Sequence, residues 1–133
     1  MEKKFKRDVR SLELIFDYVR EFVKMHDIRS SAVFQIDFIL EELFTNMVKY
    51  NSENANDILL SLNKKRDRII MSLVDTDVEP FDITTAPMTD TSLPLEQRTS
   101  GGIGLQLVRQ ISDGIDYEYK NRQSKITIVK IVE

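Results

Sequence analysis

The chain has 133 residues, 41% of them apolar and 31% charged, with a formal net charge of −3. That length suits one domain, and the composition is that of a folded globular protein rather than a disordered chain. Cysteine is absent and His26 is the single histidine, which excludes disulfides, thiolate metal sites and a pair of histidine ligands.

The distribution of charged and apolar residues excludes two classes of partner. Basic residues are scattered along the chain, whereas nucleic-acid binding needs a concentrated positive face that displaces counterions from phosphates. The N-terminal segment MEKKFKRDVR lacks the apolar core of a signal peptide, and no apolar run approaches the roughly 20 residues that span a bilayer. We therefore expect one domain over residues 1–133, in the cytoplasm, that binds neither nucleic acid nor a membrane.

The N-terminal part of the chain predicts two amphipathic helices, after a possible short strand at residues 3–8. The first helix begins near Ser11, whose side chain could cap it, and the second runs over residues 31–50. In each, apolar residues recur at three- and four-residue intervals, which places them on one face of a helix. They are Leu12, Ile15, Phe16, Val19, Phe22 and Val23 in the first helix, and Val33, Ile36, Ile39, Leu40, Leu43, Met47 and Val48 in the second.

Two β-hairpins are predicted in the rest of the chain. Strand-like runs cover residues 58–63 and 68–74 in the first hairpin, and residues 115–120 and 125–132 in the second. The order of helices, hairpin, long segment, helix and hairpin predicts an α+β fold. Its form is a two-layer α/β sandwich, in which a mostly antiparallel sheet carries the helices on one face.

The segment between the two hairpins is where function is expected first. Residues 75–102 show no periodicity and hold all three prolines, a pattern typical of lids and binding loops. A predicted helix at 103–111 follows this segment, and Gly114 is placed to end that helix as a C-cap.

Glu42 and Asn46 form the first candidate site. Four residues apart on the second predicted helix, they project from the same side, one turn apart. The carboxylate could activate a hydroxyl group, and the amide oxygen could ligate Mg²⁺, which prefers oxygen ligands. A solvated helix face carries the same residue types, and the periodicity does not distinguish the two interpretations.

The acidic run from Asp75 to Asp82 is the second candidate, and it begins where a predicted strand ends. An aspartate at a strand end can accept a hydrogen bond from an exocyclic amine of a ligand. The alternative is an acidic turn, in which aspartate takes its usual positions.

The third candidate is Gly101-Gly102-Ile103-Gly104, which opens the third predicted helix. Glycines let the backbone approach a ligand closely, and the free N–H groups of a first helical turn attract phosphate. The run matches neither Walker A, since no Gly-Lys-Ser/Thr follows, nor the Rossmann motif, which needs a glycine where Leu107 stands. A flexible connection is the alternative.

Together and in this order, the three motifs resemble the GHKL ATPase superfamily, whose nucleotide site is called the Bergerat fold. Glu42 and Asn46 lie on a helix, Asp75 ends a strand, and Gly102-x-Gly104 opens a further helix. Within the superfamily, the chain looks most like the stand-alone anti-sigma-factor serine/threonine kinases of bacterial partner-switching pathways. The resemblance covers nearly the whole chain.

This resemblance implies ATP and Mg²⁺ as cofactors. Asn46 would ligate Mg²⁺, Glu42 would act as the general base, and Asp75 would accept a hydrogen bond from the adenine amine. Thr127, on the last strand, would support the adenine end, and residues 78–100 would form the lid. Gly101, Gly102 and Gly104 would lie along the nucleotide phosphates, and the further residues expected to bind the nucleotide are Asp77, Thr99 and Ser100.

Asp77 is the one departure from the family pattern. It stands two residues after Asp75, where such proteins usually have a glycine because the backbone passes close to the purine. Aspartate tolerates a left-handed backbone better than most residues, so the turn is expected to survive. The carboxylate of Asp77 could still crowd adenine or repel the triphosphate.

Two functions follow from the resemblance. The first is a kinase that phosphorylates a serine or threonine of an anti-anti-sigma (STAS-type) partner and regulates a sigma factor, with a homodimer as its expected assembly. The second is a non-catalytic protein-binding module of the same fold with weak or lost ATP binding, and Asp77 is the reason for it.

Overall fold

The computed structural model describes residues 1–50, 53–80 and 102–132. The helices and strands begin and end close to the predicted positions. In chain order they are β1 (Glu2–Phe5), a 3-10 turn (Val9–Ser11), α1 (Leu12–His26), α2 (Ser30–Tyr50), β2 (Ile58–Lys65), β3 (Arg68–Thr76), α3 (Gly102–Ile111), β4 (Gly114–Lys120) and β5 (Gln123–Ile131).

The five strands form one sheet in the order β1-β2-β3-β5-β4, and every neighbouring pair is antiparallel. Both predicted hairpins are therefore present, and the predicted α+β sandwich is confirmed. β3 lies in the centre, paired with β2 on one side and β5 on the other, so the residues at its end are held in a fixed register.

One face of the sheet packs against the helices and forms the core. Alternate residues of β2, β3 and β5 are buried there, together with the apolar faces of α1 and α2. This burial follows the spacing of apolar residues in the sequence, every second residue in the strands and every third or fourth in the helices. Burying each large aliphatic or aromatic side chain contributes roughly 1.5–3 kcal/mol. The largest of these side chains include Ile15, Phe22, Ile36, Ile39, Leu40, Phe44, Ile58, Leu60, Leu62, Ile69, Met71 and Leu73.

Ser11 lies at the N-cap position of α1, as predicted, but its side chain makes no cap hydrogen bond, since its backbone is helical (φ −69°, ψ −13°) and not extended. Its hydroxyl donates to the carbonyl of Lys6 at 2.8 Å. Asp8 instead caps the 3-10 turn that precedes α1. Gly114 does not end α3 but begins β4, and the hydroxyl of Ser112 donates to the Val108 carbonyl at the end of α3.

Within the described ranges, none of the helices combines the length and the apolar character that crossing a bilayer requires.

Candidate functional site

Asn46 lies on the inner side of α2 with 6% of its surface exposed. Its side-chain amide donates to the backbone carbonyl of Glu42 at 2.6 Å. Because a carbonyl oxygen only accepts, the amide nitrogen must be the atom that faces Glu42. The Oδ1 atom is left as the available ligand, with no hydrogen bond to it from the residues that the structure describes. A buried amide oxygen of this kind suits a hard cation such as Mg²⁺.

The carboxylate of Glu42 lies against Gly104, in the first turn of α3. A Cβ atom built on Gly104 would overlap the Glu42 carboxylate, so this close approach requires glycine. The N–H groups of a first helical turn have no partner within the helix and attract anions. α2 and α3 thus bring a carboxylate, an amide oxygen and a helix N-terminus to one place.

Burial raises the pKa of Glu42 above its ordinary value, and the neighbouring charge of Glu41 raises it further. A carboxylate whose pKa moves toward neutrality is better suited to accept a proton from a hydroxyl group. Glu42 is only half-buried, so a substrate group could still reach it.

Asp75, near the end of β3, is almost completely buried. Its register partner on β5 is Ser124, which is buried as well. Burial raises the pKa of Asp75, and this effect is opposed by the Arg7 guanidinium and by the backbone N–H of Thr76. Asp75 is therefore a buried polar position on the central strand, whereas Asp77 and Glu79 of the same acidic run are exposed after β3.

Asp77 has a φ of 59°, the left-handed conformation that a family glycine would adopt without strain. Its carboxylate accepts a hydrogen bond from Arg122 Nε at 3.0 Å. The side chain of Asn54 donates to the Thr76 and Asp77 carbonyls, and Val78 N–H donates to the Arg122 carbonyl at 3.0 Å. The turn is thus kept with aspartate in the glycine position, and the charge of Asp77 is paired.

Asp77 and Arg122 also line a pocket of about 470 Å³, a volume within the usual range for small-molecule sites. Its other walls come from the end of α2, the segment before β2 and the segment after β3. These lining residues are Tyr50, Glu53, Asn54, Val78 and Glu79.

The family model of the histidine kinase-like ATPase domain matches residues 5–130 of the chain. The chain belongs to this family. The match spans all three motifs and confirms the resemblance inferred from them, and the name of the family implies a nucleotide as the class of ligand.

One solved structure places this histidine kinase-like ATPase domain among known folds. A chain in the crystal structure of the SiaB-SiaC complex from Pseudomonas aeruginosa matches it with a TM-score of 0.65 and 13% sequence identity. The alignment covers 97% of this chain and 88% of that chain, and at this identity it shows the shared fold. No curated protein sequence matches the chain.

Thr127 lies on β5, the last strand, where it pairs with Ser72 of β3. Because side chains alternate along a strand, Thr127 points to the face opposite the buried residues Ser124, Ile126 and Ile128. Ser124 is the β5 residue beside Asp75, and support of the adenine end by Thr127 stays a prediction.

Several predicted residues lie outside the described part of this ATPase domain. They are Thr99, Ser100 and Gly101, together with the part of the predicted lid that follows Pro80. Gly102 is the first residue of α3.

Arg7 is a residue of the site that the sequence patterns missed. Its guanidinium group forms an ion pair with Asp75, and both side chains are buried, 3% and 1% exposed. The two residues are 68 positions apart, and Arg7 lies in the short segment between β1 and α1. No spacing rule connects such positions, so only the folded chain could show the pair.

Proposed function

We propose that this chain is an ATP-dependent protein kinase that transfers a phosphoryl group to a serine or threonine of a protein partner. The observation that carries the proposal is the meeting of Glu42, Asn46 and Gly104 at the first turn of α3. Phosphoryl transfer needs mainly positioning and neutralisation of charge, which this set of groups can supply.

The residues present fit Mg²⁺ and a triphosphate. Asn46 offers a buried oxygen that the intrahelical bond to Glu42 holds in place. The glycine at position 104 lets the Glu42 carboxylate lie against the first turn of α3, and the N–H groups of that turn would face the phosphates. When bound, Mg²⁺ neutralises phosphate charge in the transition state.

Glu42 is assigned the role of general base. Its carboxylate would take the proton of the attacking hydroxyl as the hydroxyl oxygen bonds to the γ-phosphorus. The bond between that phosphorus and the oxygen of the leaving ADP would break in the same step, so one phosphoanhydride bond is exchanged for one phosphoester and the proton goes to Glu42. The raised pKa of Glu42 favours this acceptance.

Asp75 is assigned to the purine end of the site. It is fixed on the central strand, opposite Ser124, and an ionised carboxylate there can accept a hydrogen bond from an amine of the base.

The partner is proposed from the resemblance and from the neighbouring fold. The similar fold occurs in a complex of two proteins, SiaB and SiaC. For this chain we propose an anti-anti-sigma protein as the phosphoacceptor and a sigma factor as the alternative partner, in the cytoplasm, with the kinase as a homodimer.

The second candidate function is a protein-binding module without catalysis. The observation that favours it is Asp77, whose side chain and charge occupy a position where the family has glycine. In this case the ion pair between Arg122 and Asp77 serves only to keep the turn after β3 folded.

Isothermal titration of the protein with Mg·ATP distinguishes the two functions. Asn46→Ala removes the proposed ligand oxygen, and Asn63→Ala is the matched control because Asn63 is exposed on β2. Binding that weakens by about tenfold or more in Asn46→Ala, but not in Asn63→Ala, supports the kinase. No binding of ATP by the unmodified protein at millimolar concentration would leave the binding module as the function.

A further inference from the structure

The Arg7 guanidinium contacts three separate segments of the chain. It donates to Oδ1 of Asp75 on β3, to the carbonyl of Met47 on α2 at 3.0 Å and to the carbonyl of Asn56 at 3.3 Å. A guanidinium group with three acceptors has a fixed orientation. Arg7 therefore helps to fix the position of the Asp75 carboxylate.

The backbone around Arg7 is fixed as well. Ser11 donates through its hydroxyl to the Lys6 carbonyl at 2.8 Å, and Asp8 N–H donates to the same carbonyl. Ser11 N–H in turn donates to the Asp8 carbonyl at 2.9 Å. The tight turn after β1 thus aims the Arg7 side chain into the domain.

The contacts of Arg7 join the two ends of the proposed nucleotide site. Met47, whose carbonyl accepts from Arg7, directly follows Asn46, the proposed ligand of Mg²⁺. Asp75, which is paired with the same guanidinium group, is the proposed acceptor of a hydrogen bond from the amine of the base.

We propose that Arg7 is a positioning residue that sets the base specificity of the site. By holding Asp75 as an ionised acceptor, Arg7 makes the site select a purine with an amine at C6, such as adenine, over one with a carbonyl there. This inference rests on the proposed function and adds the specificity of the site to it.

The chemistry follows from the surroundings of Asp75. Among the residues that the structure describes, Arg7 forms an ion pair with Asp75, Ser124 faces Asp75 from β5, and the backbone N–H of Thr76 donates to its carboxylate. From α2, the Met47 carbonyl accepts from the same guanidinium. Burial favours the protonated carboxyl, and Arg7 opposes this. Without Arg7, a protonated Asp75 would present an O–H donor, which suits a carbonyl better than an amine.

The test compares the affinities for Mg·ATP and Mg·GTP at about pH 6 and about pH 8, by isothermal titration. Arg7→Met removes the charge, Arg7→Lys keeps it with fewer contacts, and Arg10→Met is the matched control. Arg10 lies on the same segment, in an ion pair with Asp8 at the surface. Circular dichroism establishes that each variant is folded, and if Arg7→Met is not, Arg7→Lys decides.

In the unmodified protein and in Arg10→Met, we expect ATP to bind more tightly than GTP at both pH values. In Arg7→Met, ATP affinity should fall by about tenfold or more near pH 6 and by less near pH 8, since one pKa unit corresponds to a factor of about ten. GTP affinity should rise near pH 6, because a protonated Asp75 donates to the carbonyl at C6. The ATP affinity of Arg7→Lys should lie between that of the unmodified protein and that of Arg7→Met. A ratio of ATP affinity to GTP affinity that is unchanged in both Arg7 variants overturns the proposal. Tighter ATP binding in these variants also overturns it, because Arg7 would then compete with the base for the Asp75 carboxylate.

Failure of the proposed function gives a different result. The unmodified protein would then bind neither nucleotide, and the specificity role would fall with it. The effect of Arg7 on the carboxylate is measured separately, by carbon-13 NMR titration of Asp75, with Asp75→Asn for assignment. An Asp75 pKa that is the same in the unmodified protein and in Arg7→Lys and Arg7→Met overturns the electrostatic part of the proposal without any nucleotide.

Discussion

Gly104 leaves no room for a Cβ atom because the Glu42 carboxylate fills that space. The Gly104→Ala variant should therefore move Glu42. The side chain of Glu42 is flexible and α3 gains helix propensity from alanine, so we expect the free energy of unfolding to change by only about 1 kcal/mol. Phosphoryl transfer should nevertheless fall by about 10²-fold or more, as for loss of a general base. Chemical denaturation and a phosphate-transfer assay measure the two effects.

Gly114→Ala is the matched control for this variant. A Cβ atom at Gly114 would lie 3.4 Å from Cβ of Val129 and would not meet Glu42, so this variant should leave phosphoryl transfer unchanged. Equal activity in Gly104→Ala and the unmodified protein would contradict the role of the close approach.

Glu42→Gln tests the general base directly. The amide keeps the size of the side chain but accepts no proton, so we expect the rate of phosphoryl transfer to fall by about 10²- to 10⁴-fold, with ATP affinity changed by less than about threefold. Glu41→Gln is the control, since Glu41 is its exposed neighbour on α2. If both variants lost activity to the same extent, a general effect of charge on α2 would replace the proposed role.

The raised pKa of Glu42 also predicts how stability depends on pH. The folded state disfavours the ionised carboxylate, so Glu42 contributes most to the free energy of unfolding below its ordinary pKa of 4.5. This contribution is lost as the pH rises through the folded-state pKa. Glu42→Gln should thus be more stable than the unmodified protein near neutral pH. The difference in the free energy of unfolding between the two proteins should shrink as the pH falls toward 4.5. Urea titrations at several pH values measure it, and a difference that does not change with pH would contradict a raised pKa of Glu42.

Arg122 is predicted to protect nucleotide binding from the acidic residues after β3. It forms ion pairs with Asp77 at 3.0 Å and Glu79 at 2.9 Å. Arg122→Gly should uncover both charges and weaken ATP binding by roughly threefold to tenfold at low ionic strength, with less effect in high salt. The double variant Arg122→Gly/Asp77→Asn should recover part of the loss. If it recovers none, the charge of Asp77 is not the cause.

The elements of the fold could be predicted because they depend on local patterns. Burial of alternate residues in β2 and β3, and of every third or fourth residue in α1 and α2, follows directly from the sequence. Glu42 and Asn46 could be paired because four residues make one helical turn. These are relationships within one element, which periodicity can detect.

The contacts between elements could not be obtained in this way. Arg7 and Asp75 meet because β1 and β3 flank β2 and the segment after β1 turns inward, which no pattern in residues 1–11 shows. The position of Ser124 beside Asp75 depends on the register of β3 with β5, which the sequence does not give, and a shift of an odd number of residues exchanges the two faces. The pairing of Asp77 with Arg122 likewise depends on where the β4–β5 turn lies.

That turn has a consequence for protein engineering. Asn121 and Arg122 both have positive φ, 53° and 60°, and they form the two-residue connection between the paired residues Lys120 and Gln123. Such hairpins favour glycine at the second position, so a screen for thermal tolerance should enrich glycine at position 122. The same substitution removes the cation that pairs with Asp77 and Glu79, and selection for heat resistance alone would then yield variants with impaired ligand binding.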